Sequence, residues 1–141
     1  MQLAVRATAP VLFARGADQP GPVVAGVDES PDAAAALTVA VEEAARRRTG
    51  LVVLHAGGGS CVPACATVAA EHRTVGSSPD NALIEESRGA QLVVVGAQGD
   101  RPTLLGPVTQ TVLRHAYCPV LVTHAHLLHE QARRADQLLA R

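Results

Sequence analysis

The chain has 141 residues, of which 48% are hydrophobic, and its formal net charge is −1. This length suits one domain, and the composition excludes a disordered chain. Phe13 and Tyr117 are its only Phe, Tyr or Trp residues, and no basic stripe accompanies them, so nucleic acid is not an expected partner. No apolar run reaches the roughly 18 residues needed to cross a bilayer, and with no export signal the expected location is cytoplasmic, without a membrane partner.

The first half of the chain carries a strand–helix–strand pattern. Val23–Val27 and Leu51–Ala56 are apolar runs rich in β-branched residues, as in parallel strands buried on both faces. Between them, Ser30 precedes Pro31, a combination that begins helices because proline lacks an N–H that would otherwise be unpaired. Gly50 supplies the stop signal. The pattern predicts an α/β domain with a parallel sheet.

The second half repeats this alternation. The stretch Gly57–Cys65 is glycine-rich and does not predict a helix. The elements predicted after it are a strand within Thr67–Val75, a helix from Ser78-Pro79 to Gly89, a strand at Gln91–Val95, a helix opening at Gly106-Pro107, a strand at Pro119–Thr123 and a C-terminal amphipathic helix within 126–141.

A ligand of such a sheet would bind beyond the carboxyl ends of the strands, where the strand order reverses. Asp28 follows the first of these strands, and Gly96 and Gly99 follow the fourth. The free N–H groups of the helix beginning near Pro107 would favour an anion, and Asp28 would accept hydrogen bonds from a ribose. His55, at the end of the second strand, would line the same binding site. The alternative is that Asp28 only assists a helix cap and that the glycines only make a tight turn.

Two segments resemble the universal stress protein family. The first is Val-Ala-Gly-Val-Asp28-Glu-Ser-Pro, and the second runs from Leu92-Val-Val-Val-Gly96-Ala-Gln-Gly99 through Gly106-Pro-Val-Thr to Cys118-Pro-Val-Leu-Val122. The resemblance implies an open five-stranded parallel sheet of order 3-2-1-4-5 with helices on both faces, a Rossmann-like arrangement. It also implies homodimers formed through the last strand, Val120–Thr123. Many members of the family bind ATP, and others do not.

The phosphate-binding part departs from the family pattern. ATP-binding members have a longer spacer between the second glycine and a closing Gly-Ser or Gly-Thr, whereas here six residues separate Gly99 from Gly106 and Pro107 replaces the hydroxyl residue. Proline removes a hydroxyl and a backbone donor. We therefore expect a crevice for ATP or another adenine nucleotide with a weakened phosphate grip. The candidate contacts are Asp28, His55, Ala56, Gly96, Gly99, Gly106, Val108 and Thr109.

Two further departures concern the rest of the chain. The family usually has a long helix after the second strand, which is expected to be reduced or missing here, so that another element or an unknown protein partner would cover that face. The N-terminal stretch resembles the last strand and linker of a preceding domain, and 6–12 echoes 114–121. We predict a strand at Val11–Ala14 that pairs antiparallel with Val120–Thr123, within the chain or across a dimer. The expected division is an extension 1–21, a domain 22–125 and a helix 126–141.

The remaining reactive residues do not predict catalysis or a metal site. Cys61 and Cys65 lack a matching second pair for zinc, and their spacing of three intervening residues differs from the usual redox pair. The histidines at 124, 126 and 129 are expected on the surface. Three functions remain: a dimeric regulatory module that binds an adenine nucleotide, a protein-interaction module that binds none, and a slow ATP hydrolase, for which no general base is evident.

Overall fold

The computed structural model describes residues 10–16, 19–27, 31–56, 69–75, 78–97 and 106–124. These residues form six strands and three helices. The strands are β1 (Val11–Phe13), β2 (Val23–Val27), β3 (Leu51–Ala56), β4 (Ala70–Val75), β5 (Leu92–Gly96) and β6 (Val120–Thr123), and the helices are α1 (Pro31–Arg47), α2 (Pro79–Ser87) and α3 (Pro107–His115). The predicted C-terminal helix and the segment 57–68, where the second helix was expected to be reduced, lie outside the described residues.

The six strands make one sheet of order β1-β6-β5-β2-β3-β4. The pairs among β2 to β6 are all parallel, and read from β4 to β6 these five strands follow the predicted order 3-2-1-4-5. Only β1 is antiparallel, pairing with β6 in the register Val11↔Val122, Leu12↔Leu121 and Phe13↔Val120. The α/β class is therefore confirmed, and the predicted N-terminal strand forms within the chain.

The buried side chains divide into two clusters, one on each face of the sheet. On one face, alternate residues of the central strands pack against the apolar side of α1, which is rich in alanine. On the other, the intervening residues pack against Leu83 of α2 and Val112 and Leu113 of α3. Strands β2 and β5 are buried at every position. The small alanines of α1 let the helix approach the sheet closely, which compensates for the scarcity of aromatic residues.

The helix boundaries follow the predicted proline signals more closely than the predicted glycine stops. Pro79 and Pro107 occupy first helical positions, although Ser78 makes no side-chain cap hydrogen bond. α1 ends earlier than Gly50, because Arg48 adopts the left-handed φ of 53°. The N–H of Thr49 donates to the carbonyl of Ala44 at 3.0 Å, which is the hydrogen bond that closes a Schellman motif. The stop is thus set by backbone closure at Arg48.

Residues 19–22, which precede β2, lie across the amino ends of the strands and are hydrogen-bonded to neighbouring segments. The Gln19 amide donates to the carbonyls of Ser87 and Ala90, and the carbonyl of Gly21 accepts from Thr49 Oγ1 and Gln91 Nε2 at 2.8 and 2.7 Å. Gly21 has a φ of 147°, and a Cβ there would lie 2.1 Å from the carbonyl oxygen of Gly89. Residues 19–22 of the stretch predicted as a linker are therefore packed against the domain.

Candidate functional site

The candidate crevice is positioned by the contact between β2 and β5. These strands are direct neighbours, with Val23 opposite Leu92 and Ala25 opposite Val94. Their carboxyl ends, at Val27 and Gly96, lie at the point where the strand order of the sheet reverses, which is where open α/β sheets bind ligands. The first and fourth strands of the predicted sheet, which are β2 and β5 here, are therefore adjacent, as the predicted crevice requires. Asp28 and Gly99 themselves lie outside the described residues.

The groups at the start of α3 are already hydrogen-bonded within the chain. Thr109 is fully buried, and its hydroxyl donates to the carbonyl of Gly96 at 2.6 Å. The N–H of Gly106 donates to the carbonyl of Ala97 at 2.7 Å. This hydrogen bond joins the two ends of the glycine loop, the segment that runs from Gly96 to Gly106. Pro107 has no N–H to offer. The Gly106 N–H and the Thr109 hydroxyl are therefore used to join α3 to the end of β5, and Pro107 supplies no donor.

Val108 and the helix dipole are the remaining features at the start of α3. Val108, the other candidate contact on α3, is half-buried and packs against the apolar cluster beneath the helix. No acidic residue lies in the first turn of α3, so the helix dipole there is available to an anion.

One buried hydroxyl near the crevice, that of Thr123, has no hydrogen-bond partner among the residues that the structure describes. Thr123 is opposite Gly96 in the pairing of β5 with β6 and is only 1% exposed. Within the described part of the chain, its Oγ1 makes no hydrogen bond. A buried hydroxyl without a partner destabilises the fold by its lost hydration. Thr109 and Thr123 are thus two buried threonines beside the same glycine, and in the described ranges only the hydroxyl of Thr109 has a hydrogen-bond partner.

His55 occupies its predicted place at the end of β3, next to Val27 of β2, but its nearest polar partner was not predicted. His55 Nε2 lies 3.1 Å from Nδ1 of His72 on β4. Partial burial lowers the pKa of His55, and the charge of His72 lowers it further. The sequence predicted a strand for the segment of His72 but not its register, and the register decides which of its side chains meets His55. Ala56 ends the same strand.

Cys118 is the one cysteine within the described residues, and it is buried and free. Burial raises its pKa to about 11, against the smaller lowering effects of the Val93 backbone and Arg15. A thiol in this state is a poor nucleophile. No group of three or more His, Cys, Asp or Glu side chains comes together in the described ranges. None of the described helices has the length and apolar character that crossing a membrane requires.

Comparison with known sequences agrees with this geometry. The model of the universal stress protein family matches residues 64–124, which include β4, α2, β5, α3 and β6. A universal stress protein of Mycobacterium tuberculosis is 32% identical over 134 residues, covering 74% of this chain. One from Mycolicibacterium smegmatis is 32% identical over 151 residues, covering 82% of this chain. The chain belongs to the universal stress protein family.

The universal stress protein chain described here spans about half the length of those curated relatives, 45% of the first and 51% of the second. Its fold is shared with much shorter solved structures. A universal stress protein from Lactobacillus plantarum superposes with a TM-score of 0.61 at 20% identity, covering 74% of this chain and 97% of its own. A universal stress protein in complex with cAMP gives a TM-score of 0.59 at 26% identity, covering 74% and 97%. One from Archaeoglobus fulgidus in complex with dAMP gives 0.54 at 24%, covering 73% and 97%.

Proposed function

We propose that this universal stress protein chain is a dimeric, cytoplasmic regulatory module of the stress response, with an adenine-nucleotide crevice whose phosphate-binding end is weakened. The observation that carries the proposal is the pairing of β2 with β5, because it makes the crevice at their carboxyl ends. The candidate contacts Asp28 and Gly99 belong to this proposal, as does the division into 1–21, 22–125 and 126–141.

The hydrogen bonds at the start of α3 support weak binding of the phosphates beyond the first. The Gly106 N–H and the Thr109 hydroxyl are used within the chain, and Pro107 contributes no N–H. A ligand with one phosphate needs fewer donors than ATP does. The related proteins solved with cAMP and dAMP hold ligands of that kind. We therefore propose that an adenosine monophosphate binds about as tightly as ATP does, because the two additional phosphates of ATP gain few contacts.

The second candidate function is an interaction module that binds no nucleotide. It is favoured by the same bonded groups, because a glycine loop whose ends are tied by the Gly106–Ala97 hydrogen bond has a structural role without any ligand. Under this alternative the chain acts through its surfaces. Measurement of nucleotide binding separates the two candidates.

Calorimetric titration with ATP tests the weakened grip, using a variant that restores the missing groups. The wild type is expected to bind ATP with a Kd weaker than about 100 μM. Pro107→Ser restores both a hydroxyl and an N–H, and it should tighten ATP binding about tenfold, since each charge-assisted hydrogen bond contributes roughly 1.5–3 kcal/mol. Pro79→Ser, the same change at the start of α2, is the matched control and should leave the affinity unchanged.

Two outcomes would contradict this account of the crevice. A wild-type Kd for ATP in the low micromolar range would show that the phosphate grip is intact. An unchanged affinity in Pro107→Ser would show that the proline is not what weakens it. Absence of binding by both ATP and AMP in the wild type and in Pro107→Ser would favour the interaction module.

We propose that the homodimer forms through the edge of β1 that pairs with no other described strand. Both edges of β6 are already paired, one with β5 and one with β1, so a partner subunit cannot add to β6 without displacing β1. Leu12 is 53% exposed in the middle of β1. Leu12→Lys should weaken dimerisation, because a charge on an edge strand opposes pairing with a second edge. Light scattering during gel filtration measures this, and a monomeric wild type would contradict the proposed interface.

A further inference from the structure

His55 and His72 meet because of the register between β3 and β4. His72 is opposite Val53, and His55 is opposite Thr74. Val53 belongs to the cluster on the α1 face of the sheet, and His55 follows it by two residues, so both imidazoles project from that face. They are diagonal neighbours across the two strands, a separation that long and aromatic side chains bridge. Their ring centroids lie 5.4 Å apart.

The distance between the facing nitrogens suits a shared cation as well as it suits a hydrogen bond. His55 Nε2 and His72 Nδ1 are 3.1 Å apart. Two imidazole nitrogens bound to one metal at about 2.0–2.1 Å would be about 3.3 Å apart in tetrahedral geometry and about 2.9 Å apart in square-planar geometry. The observed separation lies between these values. The pair therefore needs only small side-chain movements to become two ligands of one ion.

The position of the pair leaves room for the rest of a coordination shell. β4 lies at the end of the sheet order, and the side chain of His72 is exposed, so water can reach the two nitrogens. A third protein ligand is not supplied by the described residues.

We propose that His55 and His72 bind one divalent cation of the copper, nickel and zinc class. Neutral imidazole nitrogens are preferred ligands of these ions, whereas magnesium and calcium prefer oxygen. The ion takes the place of the proton shared between the two rings. The ring that donates the shared N–H moves this proton to its other ring nitrogen. Both facing nitrogens then present lone pairs to the ion, and each ring stays neutral with one N–H. This site goes beyond the proposed nucleotide function and does not depend on it.

Titration of the reduced, metal-free protein with copper, nickel and zinc chlorides tests the proposal. We expect one ion per chain, with copper bound most tightly, and no effect of magnesium. His55→Gln and His72→Gln should each weaken binding at least about tenfold, as expected for loss of one of two protein ligands. His115→Gln removes an exposed histidine from the end of α3 and is the matched control, with an expected change of less than about twofold. In imidazole NMR spectra, substoichiometric copper should broaden the His55 and His72 signals first.

Three results would overturn the assignment. The first is failure of all three ions to bind at millimolar concentration. The second is equal affinity in the wild type, His55→Gln and His72→Gln. The third is a nickel–thiolate charge-transfer band that persists in both histidine variants, because the ion would then be held by cysteines alone. Circular dichroism and unfolding without metal establish that the two variants keep the fold.

Discussion

Replacing Thr109 and Thr123 by valine, one at a time, separates a structural hydroxyl from an unsatisfied one. Both threonines are fully or almost fully buried, and valine has nearly the shape of threonine. The Thr109 hydroxyl donates to the carbonyl of Gly96 at 2.6 Å, while the Thr123 hydroxyl has no partner among the described residues. The same change therefore removes a hydrogen bond at one site and only a desolvated hydroxyl at the other.

The two substitutions should change stability in opposite directions. Thr109→Val should lower the free energy of unfolding by about 1–2 kcal/mol, because it removes a buried hydrogen bond and leaves the Gly96 carbonyl with one donor fewer. Thr123→Val should leave stability unchanged or raise it by up to about 1 kcal/mol, because it removes a polar group that is buried without a partner. The expected difference between the variants is about 1–3 kcal/mol.

Urea unfolding followed by circular dichroism measures this difference directly. Equal m-values would establish that the denatured states are comparable, and thermal unfolding should show a Tm difference of about 3–5 °C per kcal/mol for a domain of this size. A Thr109→Val variant no less stable than Thr123→Val would refute the reasoning. It would mean that the hydroxyl of Thr109 is not bonded to Gly96 in solution and is available to a ligand.

Four further changes test the packing and charges of the fold. Gly26→Ala places a Cβ 2.8 Å from Leu83 Cδ1 and should cost about 1–3 kcal/mol by overpacking, most of which should vanish in a Leu83→Ala background in a double-mutant unfolding cycle. Arg48→Gly should stabilise the protein by about 0.5–1 kcal/mol in urea unfolding, because it relieves a φ of 53°. Cys118, whose pKa is about 11, should react with a thiol reagent only upon unfolding in a variant whose other cysteines are serines, and prompt reaction in the native state would contradict its burial. Burial raises the pKa of Glu43, but Arg46 and Arg47 outweigh this effect and lower the pKa overall. The stability that Glu43 contributes is therefore present above its unfolded pKa and is lost as the pH falls through its folded pKa, so Glu43→Gln should flatten the pH dependence of unfolding in acid.

The elements of this fold could be predicted because their signals are local. The apolar runs of β2 and β5 and the prolines that begin α2 and α3 mark their positions without reference to other parts of the chain. The strand order and the extra strand β1 came instead from the family resemblance, which the structure bears out. The end of α1 was placed too late, because Gly50 carries the usual stop signal while the left-handed turn falls on Arg48.

The side-chain contacts of the site were not predictable in the same way. The resemblance assigned the Thr109 hydroxyl to a ligand, but whether it reaches the Gly96 carbonyl depends on how closely α3 lies against β5. The contact between His55 and His72 depends on the register of β4, a short polar strand whose alternation gives little indication of which face is buried. Both contacts depend on distances between elements that are far apart in the sequence, and a local sequence pattern does not determine such distances.

The ratio of the affinities for AMP and ATP, measured by calorimetry on the wild-type chain, tests the central claim of a crevice with a weak phosphate grip. If the donors at the start of α3 are engaged within the chain, the two additional phosphates of ATP gain little, and the two Kd values should agree within about threefold. Binding of ATP more than about tenfold tighter than AMP would contradict the account, because that gain requires donors that the structure assigns to Gly96 and Ala97.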